Sequence, residues 1–145
     1  MTEKWTNTFG PQKKILVIDD NEHLRDSFSG SLSAIGYEVV AASNGVEGYD
    51  LLLQNRFDLV VTDCQLPKID GWHLLDLIKE HRPYTPVFLI TGQSRDEILK
   101  KMSTGQVDFL MFRPFRIEEL HHIVQSFLVN HSSEMSNTKI CNNVY

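Results

Sequence analysis

Five short apolar runs, each ending at polar or charged residues and each followed by a helical pattern, constrain the fold of this chain most tightly. They are Lys14 to Ile18, Tyr37 to Ala42, Leu59 to Thr62, Pro86 to Thr91 and Val107 to Phe112. Leu59-Val60-Val61-Thr62 carries no charge and stops abruptly at Asp63, as a strand buried on both faces does. Between the runs lie helical spacings. Glu22 to Ile35 repeats Leu24, Phe28, Leu32 and Ile35, with Asn21 or Asp20 as a cap and Gly36 fitting the left-handed residue that ends it. Asn44-Gly45 is a turn before a helix over Val46 to Gln54. Gly71 to His81 turns Trp72, Leu75 and Ile78 inward and is stopped by Pro83. Ser94 to Met102 is a short helix with Ile98 and Leu99 as its strong anchors. Ile117 to Val129 carries Ile117, Leu120, Ile123, Val124 and Phe127.

Strands alternating with helices, joined by right-handed crossovers, predict a parallel sheet covered on both faces. The expected class is α/β: a (βα)5 doubly wound, parallel, five-stranded sheet of the flavodoxin-like kind. A length of 145 residues suits one such domain. We expect a polar leader over 1–12, the domain over 13–131 and a disordered tail over 132–145, where no period could form a packed element. A net charge of -5 argues against binding nucleic acid, whose backbone demands clustered Lys and Arg. No run approaches the about eighteen apolar residues of a membrane span, and Met1 to Gly10 lacks a signal-peptide core. Cys64 and Cys141 make neither a disulfide framework nor a zinc pattern. These features lead us to expect a cytoplasmic, reduced protein that does not bind membranes.

The strand ends carry the chemistry. Run one stops at Asp19-Asp20, run three at Asp63, run four at Thr91 and run five at Arg113. In a doubly wound sheet these ends share one edge, where such folds keep their sites. Three crowded carboxylates repel one another unless a cation is bound. An oxygen-rich set without His or Cys suits Mg²⁺, which would also neutralise an incoming phosphoryl group. Thr91 could donate its hydroxyl to a phosphoryl oxygen, and Arg113 could supply fixed positive charge.

With these residues in place, the sequence resembles the receiver (CheY-like) domains of two-component response regulators, over about residues 13–130. The marks are Asp19-Asp20, Asp63-Cys64-Gln65-Leu66-Pro67 followed by Asp70-Gly71, Thr91-Gly92, and Arg113-Pro114-Phe115. The resemblance implies that Asp63 takes a phosphoryl group from a sensor histidine kinase or a phosphotransfer protein. Asp20, Asp63 and the Gln65 carbonyl would hold Mg²⁺, with Asp19 acting through water. Thr91 would follow the phosphoryl group and move the loop after the fourth strand, and the Arg113-Pro114 bond would be cis. The chain would then be a stand-alone receiver: a two-state signalling switch for a partner protein, monomeric or weakly dimerising on phosphorylation, and not a metabolic enzyme.

Two positions depart from the family. Arg113 stands where the family has Lys, and Arg is planar, longer and bidentate. Leu110 stands three before it, where the family places a switching aromatic, flanked by Phe109 and Phe112. These departures favour one alternative, a pseudo-receiver that docks partners without phosphorylation. A flavin- or nucleotide-binding enzyme on the same fold is a weaker rival, since no glycine-rich loop follows the first strand. Cys64 reads as a small, partly exposed loop residue. His121 and His122 point about 100° apart on a helix and form no chelating pair.

Overall fold

The computed structural model describes residues 12–101, 107–130 and 139–141. The expected leader therefore lies outside the described residues, except for Gln12. Elements alternate as expected: β1 Lys14–Ile18, α1 Glu22–Ala34, β2 Glu38–Ala42, α2 Gly45–Gln54, β3 Leu59–Asp63, α3 Gly71–His81, β4 Val87–Thr91, α4 Arg95–Lys101, β5 Phe109–Phe112 and α5 Ile117–Asn130. The strands form one parallel sheet in the order β2-β1-β3-β4-β5. β3 and β4 are buried at every residue, which is why they read as continuous apolar runs.

A core lies on each face. On one, Leu52 of α2, Leu74, Leu75 and Ile78 of α3 and Ile98 of α4 pack on Leu16, Ile18, Val60, Leu89 and Leu110. On the other, Phe28 and Leu32 of α1 and Leu120 and Val124 of α5 pack on Ile15, Val17, Val61, Phe88 and Met111. The strand residues alternate between the two lists, as the period of two requires.

Helix starts are set by side-chain caps. Asn21 accepts the Leu24 amide at 3.0 Å, Asn44 the Glu47 amide at 2.8 Å, and Asp70 the His73 amide at 2.9 Å. Gly36 after α1 has φ 109, a conformation closed to most side chains, so the glycine is needed there. Asp70→Ala is expected to cost about 1 kcal/mol, the usual value of such a cap. Urea denaturation would measure it, and no loss would mean that α3 starts without the cap.

Several expectations need correction. The segment 132–145, expected to be disordered, contains a sixth strand, β6 Lys139–Cys141, paired in parallel with β5. A three-residue strand is too short for periodicity to register, and the free edge of β5 supplies the backbone partners it needs. The rest of that segment lies outside the described residues. Cys64 is buried, not partly exposed, because its amide donates to Ile90 O at 2.9 Å and pulls the loop onto the sheet. Leu74 is fully buried, Trp72 only partly, and Leu99 is exposed, leaving Ile98 as the buried side chain of α4.

Candidate functional site

Parallel pairing brings the expected residues to one edge. Ile18 pairs with Thr62, Asp63 with Ile90, and Thr91 with Phe112, so Asp19, Asp63, Thr91 and Arg113 follow or close neighbouring strands. Ligand oxygens of Asp19, Asp20 and Asp63 all lie within 4.8 Å of one another. Asp19 and Asp63 are buried, while Asp20 is exposed at the rim. Arg113 reaches in from the end of β5. Its Nη2 is 3.3 Å from Asp19 Oδ2 and 3.6 Å from Asp63 Oδ2. The Arg113-Pro114 bond is cis, as the family resemblance implies.

Loop geometry fixes each group. Asp19 Oδ1 accepts the Asn21 amide at 2.9 Å, and Arg25 Nη1 donates to the Asp19 carbonyl at 3.0 Å. Asp63 Oδ1 accepts the Gln65 amide at 3.2 Å, which folds the loop back toward the carboxylate. The Gly71 amide donates to Cys64 O at 2.8 Å, and a Cβ at Gly71 would lie 2.5 Å from Asp63 O. No side chain fits there, so glycine lets α3 start directly under Asp63. Lys68 takes φ 72 inside a three-residue turn closed by the Ile69 amide and Pro67 O at 2.9 Å. This is a strained geometry for a residue with a Cβ, of the kind found in functional loops. Thr91 is fully buried; its Oγ1 accepts the Gln93 amide at 2.9 Å, and its carbonyl accepts the Arg113 amide at 2.8 Å.

Burial dominates the electrostatics. It pushes both the Asp19 and Asp63 carboxyls above the ordinary value of 3.8. Backbone amides and Arg113 pull them back in part, and the neighbouring carboxylates push them further up. The donor set is all oxygen and mostly negative, which fits a hard divalent cation better than a soft one. With Mg–O distances of about 2.1 Å, opposite ligands stand about 4.2 Å apart. Oxygens that all lie within 4.8 Å of one another are close enough to be drawn onto one such ion.

The packing places Leu110 and the two aromatics that flank it. Leu110 is fully buried among the side chains of α2, α3 and α4. Phe109 packs on the opposite face against Phe88, with ring centroids 5.0 Å apart. Phe112 shares the face of Leu110, partly exposed, with the Arg95 guanidinium 4.9 Å from its ring centroid. No aromatic occupies position 110, and Phe112, two residues further on, directly precedes Arg113.

The doubly wound α/β sheet thus gathers an acidic cluster and a guanidinium at its strand ends. The response regulator receiver domain family model matches residues 15–125, and the chain belongs to that family, a receiver of two-component signalling. Transcriptional regulatory protein HprR of Escherichia coli (strain K12) is 33% identical over 128 residues, covering 88% of this chain and 56% of that protein. Response regulator MprA of Mycobacterium sp. (strain KMS) is 37% identical over 108 residues, covering 74% of this chain and 46% of that protein. The chain thus spans about half the length of these curated relatives. Among solved structures, a CheY-like receiver domain protein from Methanospirillum hungatei JF-1 superposes with TM-score 0.80 at 26% identity, covering 86% of this chain and all of that one. TrrA from Thermotoga maritima, crystallised with Mg(2+)-BeF, superposes with TM-score 0.72 at 28% identity, covering 79% of this chain and 98% of that one. No helix among the described residues is long and apolar enough to cross a membrane.

Proposed function

We propose that this chain works as a stand-alone receiver, phosphorylated on Asp63 by a sensor histidine kinase or a phosphotransfer protein and read by a separate protein. The observation that carries this reading is the placement of Asp63. It closes the inner strand β3, is 8% exposed, and faces Asp19, Asp20 and Arg113.

In this reading an Asp63 Oδ atom attacks phosphorus, the P–N bond of a phosphohistidine breaks, and the imidazole keeps the electron pair and takes a proton from solvent. Asp20, Asp63 and the Gln65 carbonyl would hold Mg²⁺, with Asp19 acting through water. When bound, the ion supplies the charge that brings phosphoryl oxygens up to a carboxylate. Thr91 accepts from Gln93 and keeps its own hydroxyl proton to donate to a phosphoryl oxygen. Because the Thr91 carbonyl also holds the Arg113 amide, a pull on Thr91 reaches both the β4–α4 loop and β5. The output would be a shifted balance between two arrangements of that region, with cytoplasmic partners on either side of the transfer.

The test is intact mass after incubation with acetyl phosphate and Mg²⁺. The parent should gain one phosphoryl group, and the gain should vanish without Mg²⁺. A second reading, docking without phosphorylation, is favoured by the Arg113 guanidinium lying across Asp19 and Asp63. Gain in Arg113→Lys but not in the parent would select that reading.

A further inference from the structure

We propose that the outer edge of β5 is a strand-acceptor site through which two copies of this chain pair, each seating the Lys139–Cys141 segment of the other where its own β6 lies. The proposal goes beyond the phosphorylation reading and uses none of the acidic residues.

Four observations carry it. First, the two edges of the five-stranded sheet are unlike. β2 opens with an exposed Glu38, its carboxylate 3.9 Å from Lys14 Nζ, and charge on an edge discourages a further strand. β5 reads Phe109-Leu110-Met111-Phe112, with neither charge nor proline, and an apolar edge of that kind is a template for pairing.

Second, the seat is made of backbone. The Arg113 amide donates to Thr91 O at 2.8 Å, so Met111 and Arg113 turn their amides toward β4 and the backbone of Leu110 points outward. Leu110 stands in register with Ile140. The parallel pattern then gives the Leu110 amide to the Lys139 carbonyl and the Leu110 carbonyl to the Cys141 amide. Main-chain bonds of this kind hold an extended segment whichever copy supplies it.

Third, the route within one copy is unlike the others. The chain reaches β6 from α5, on the face of α1, whereas α2, α3 and α4 lead to their strands from the opposite face. A segment arriving from a second copy is free of that path. Fourth, the tail has reach. Residues 131–138 lie between α5 and β6, and an extended connection of that length spans at most about 30 Å. Both cores are assembled from β1–β5, α1–α5 and the loops between them, so a tail that leaves its own sheet opens neither. Exchange of an identical element is then a low-cost route to a dimer.

The experiment uses the full chain without Mg²⁺ or a phosphoryl donor, so its outcome is independent of the phosphorylation reading. Under reducing conditions, sedimentation equilibrium at concentrations up to about 200 μM should show a monomer–dimer equilibrium. Cys141→Pro removes the amide offered to Leu110 and should weaken dimerisation at least about tenfold, through one lost hydrogen bond at each of two seats. Cys141→Ser keeps that amide and should stay within about twofold of the parent. Met111→Cys puts a thiol in register with Cys141. Neighbouring strands lie about 4.8 Å apart, inside the Cα spacing of about 4.4–6.8 Å that a disulfide bridges. After mild oxidation, peptide mapping should find the 111–141 disulfide in a covalent dimer. Finding it only within single chains overturns the proposal, as does finding it in no species. A parent that stays monomeric throughout, or a dimer that survives Cys141→Pro unchanged, overturns it as well. Met111 is fully buried, so if Met111→Cys does not fold, the two Cys141 variants decide the matter.

Discussion

Replacing Asp108 with alanine is expected to cost the fold about 3 kcal/mol, the lower end for breaking a buried ion pair from one side. Asp108 lies just ahead of β5 and is 6% exposed. Its Oδ2 takes the Lys79 ammonium of α3 at 2.7 Å and the Val87 amide at the start of β4 at 2.8 Å. One carboxylate thus ties a helix to two strands at the edge of the sheet opposite the site. Alanine would leave the Val87 amide without that acceptor and the Lys79 charge with the Thr85 carbonyl at 2.8 Å as its recorded partner. Asp108→Asn keeps an acceptor and should lose less. With a urea dependence of about 1–3 kcal/mol/M, the alanine midpoint should fall by about 1–3 M. A drop worth less than about 1 kcal/mol would mean that the pair's desolvation cancels its attraction. Phosphoryl gain per folded molecule should not change, because Asp108 is remote from Asp63.

Asp63→Asn is expected to abolish phosphoryl gain outright while making the metal-free fold more stable at neutral pH. Burial holds the Asp63 carboxyl above 3.8, and the Gln65 amide and Arg113 offset only part of that push. A carboxyl whose folded pKa lies above its unfolded value contributes stability that is intact below 3.8. That contribution is lost as pH rises through the folded pKa, because the folded state then has to hold a charge it disfavours. Above the folded pKa the loss is complete. Asparagine carries no charge to desolvate and keeps an oxygen for the Gln65 amide. The melting temperature of Asp63→Asn should therefore exceed that of the parent at pH 7 without metal. The gap should close as pH falls toward and below 3.8, and Mg²⁺ should narrow it from the other side by stabilising the parent. A variant that melts lower than the parent at pH 7 would show that the Arg113 contact outweighs burial. Asp19 is shifted in the same direction by the same cause, so the parent's own acid profile reports both groups together.

How far the sequence reached depended on what each residue answers to. β3 and β4 were legible because strands buried on both faces admit almost nothing but apolar and β-branched residues. Asp70 was legible as the end of a loop, and its role as a cap follows from that position. The acidic cluster could be anticipated because parallel topology brings strand ends together whatever their separation in sequence. The length and direction of a side chain do not follow from topology. Nothing in the spacing of Asp19 and Arg113 says that one nitrogen would lie within reach of both acids. Asp108 falls inside the fifth apolar run, and its charge there is the available signal of a side chain paired with Lys79, while its amide still donates to Val87 O. The placing of the aromatics around Leu110 was not legible for a similar reason, since counting back from Arg113 does not tell which face a residue takes. Leu110 and Phe112 share a face and Phe109 takes the other, so the aromatic paired with Thr91 across the ladder is Phe112.

The sixth strand departs from the handedness of the fold. β2–α2–β3, β3–α3–β4 and β4–α4–β5 all advance in one direction across the sheet with their helices on one face, and β1–α1–β2 goes the other way with its helix on the other. The step from β5 through α5 to β6 advances in the first direction, but α5 lies on the face of α1. That makes it a left-handed crossover, a form seen in only about 2% of such connections. A right-handed architecture therefore ends at α5, and β6 is an appendage joined against the chirality of everything before it.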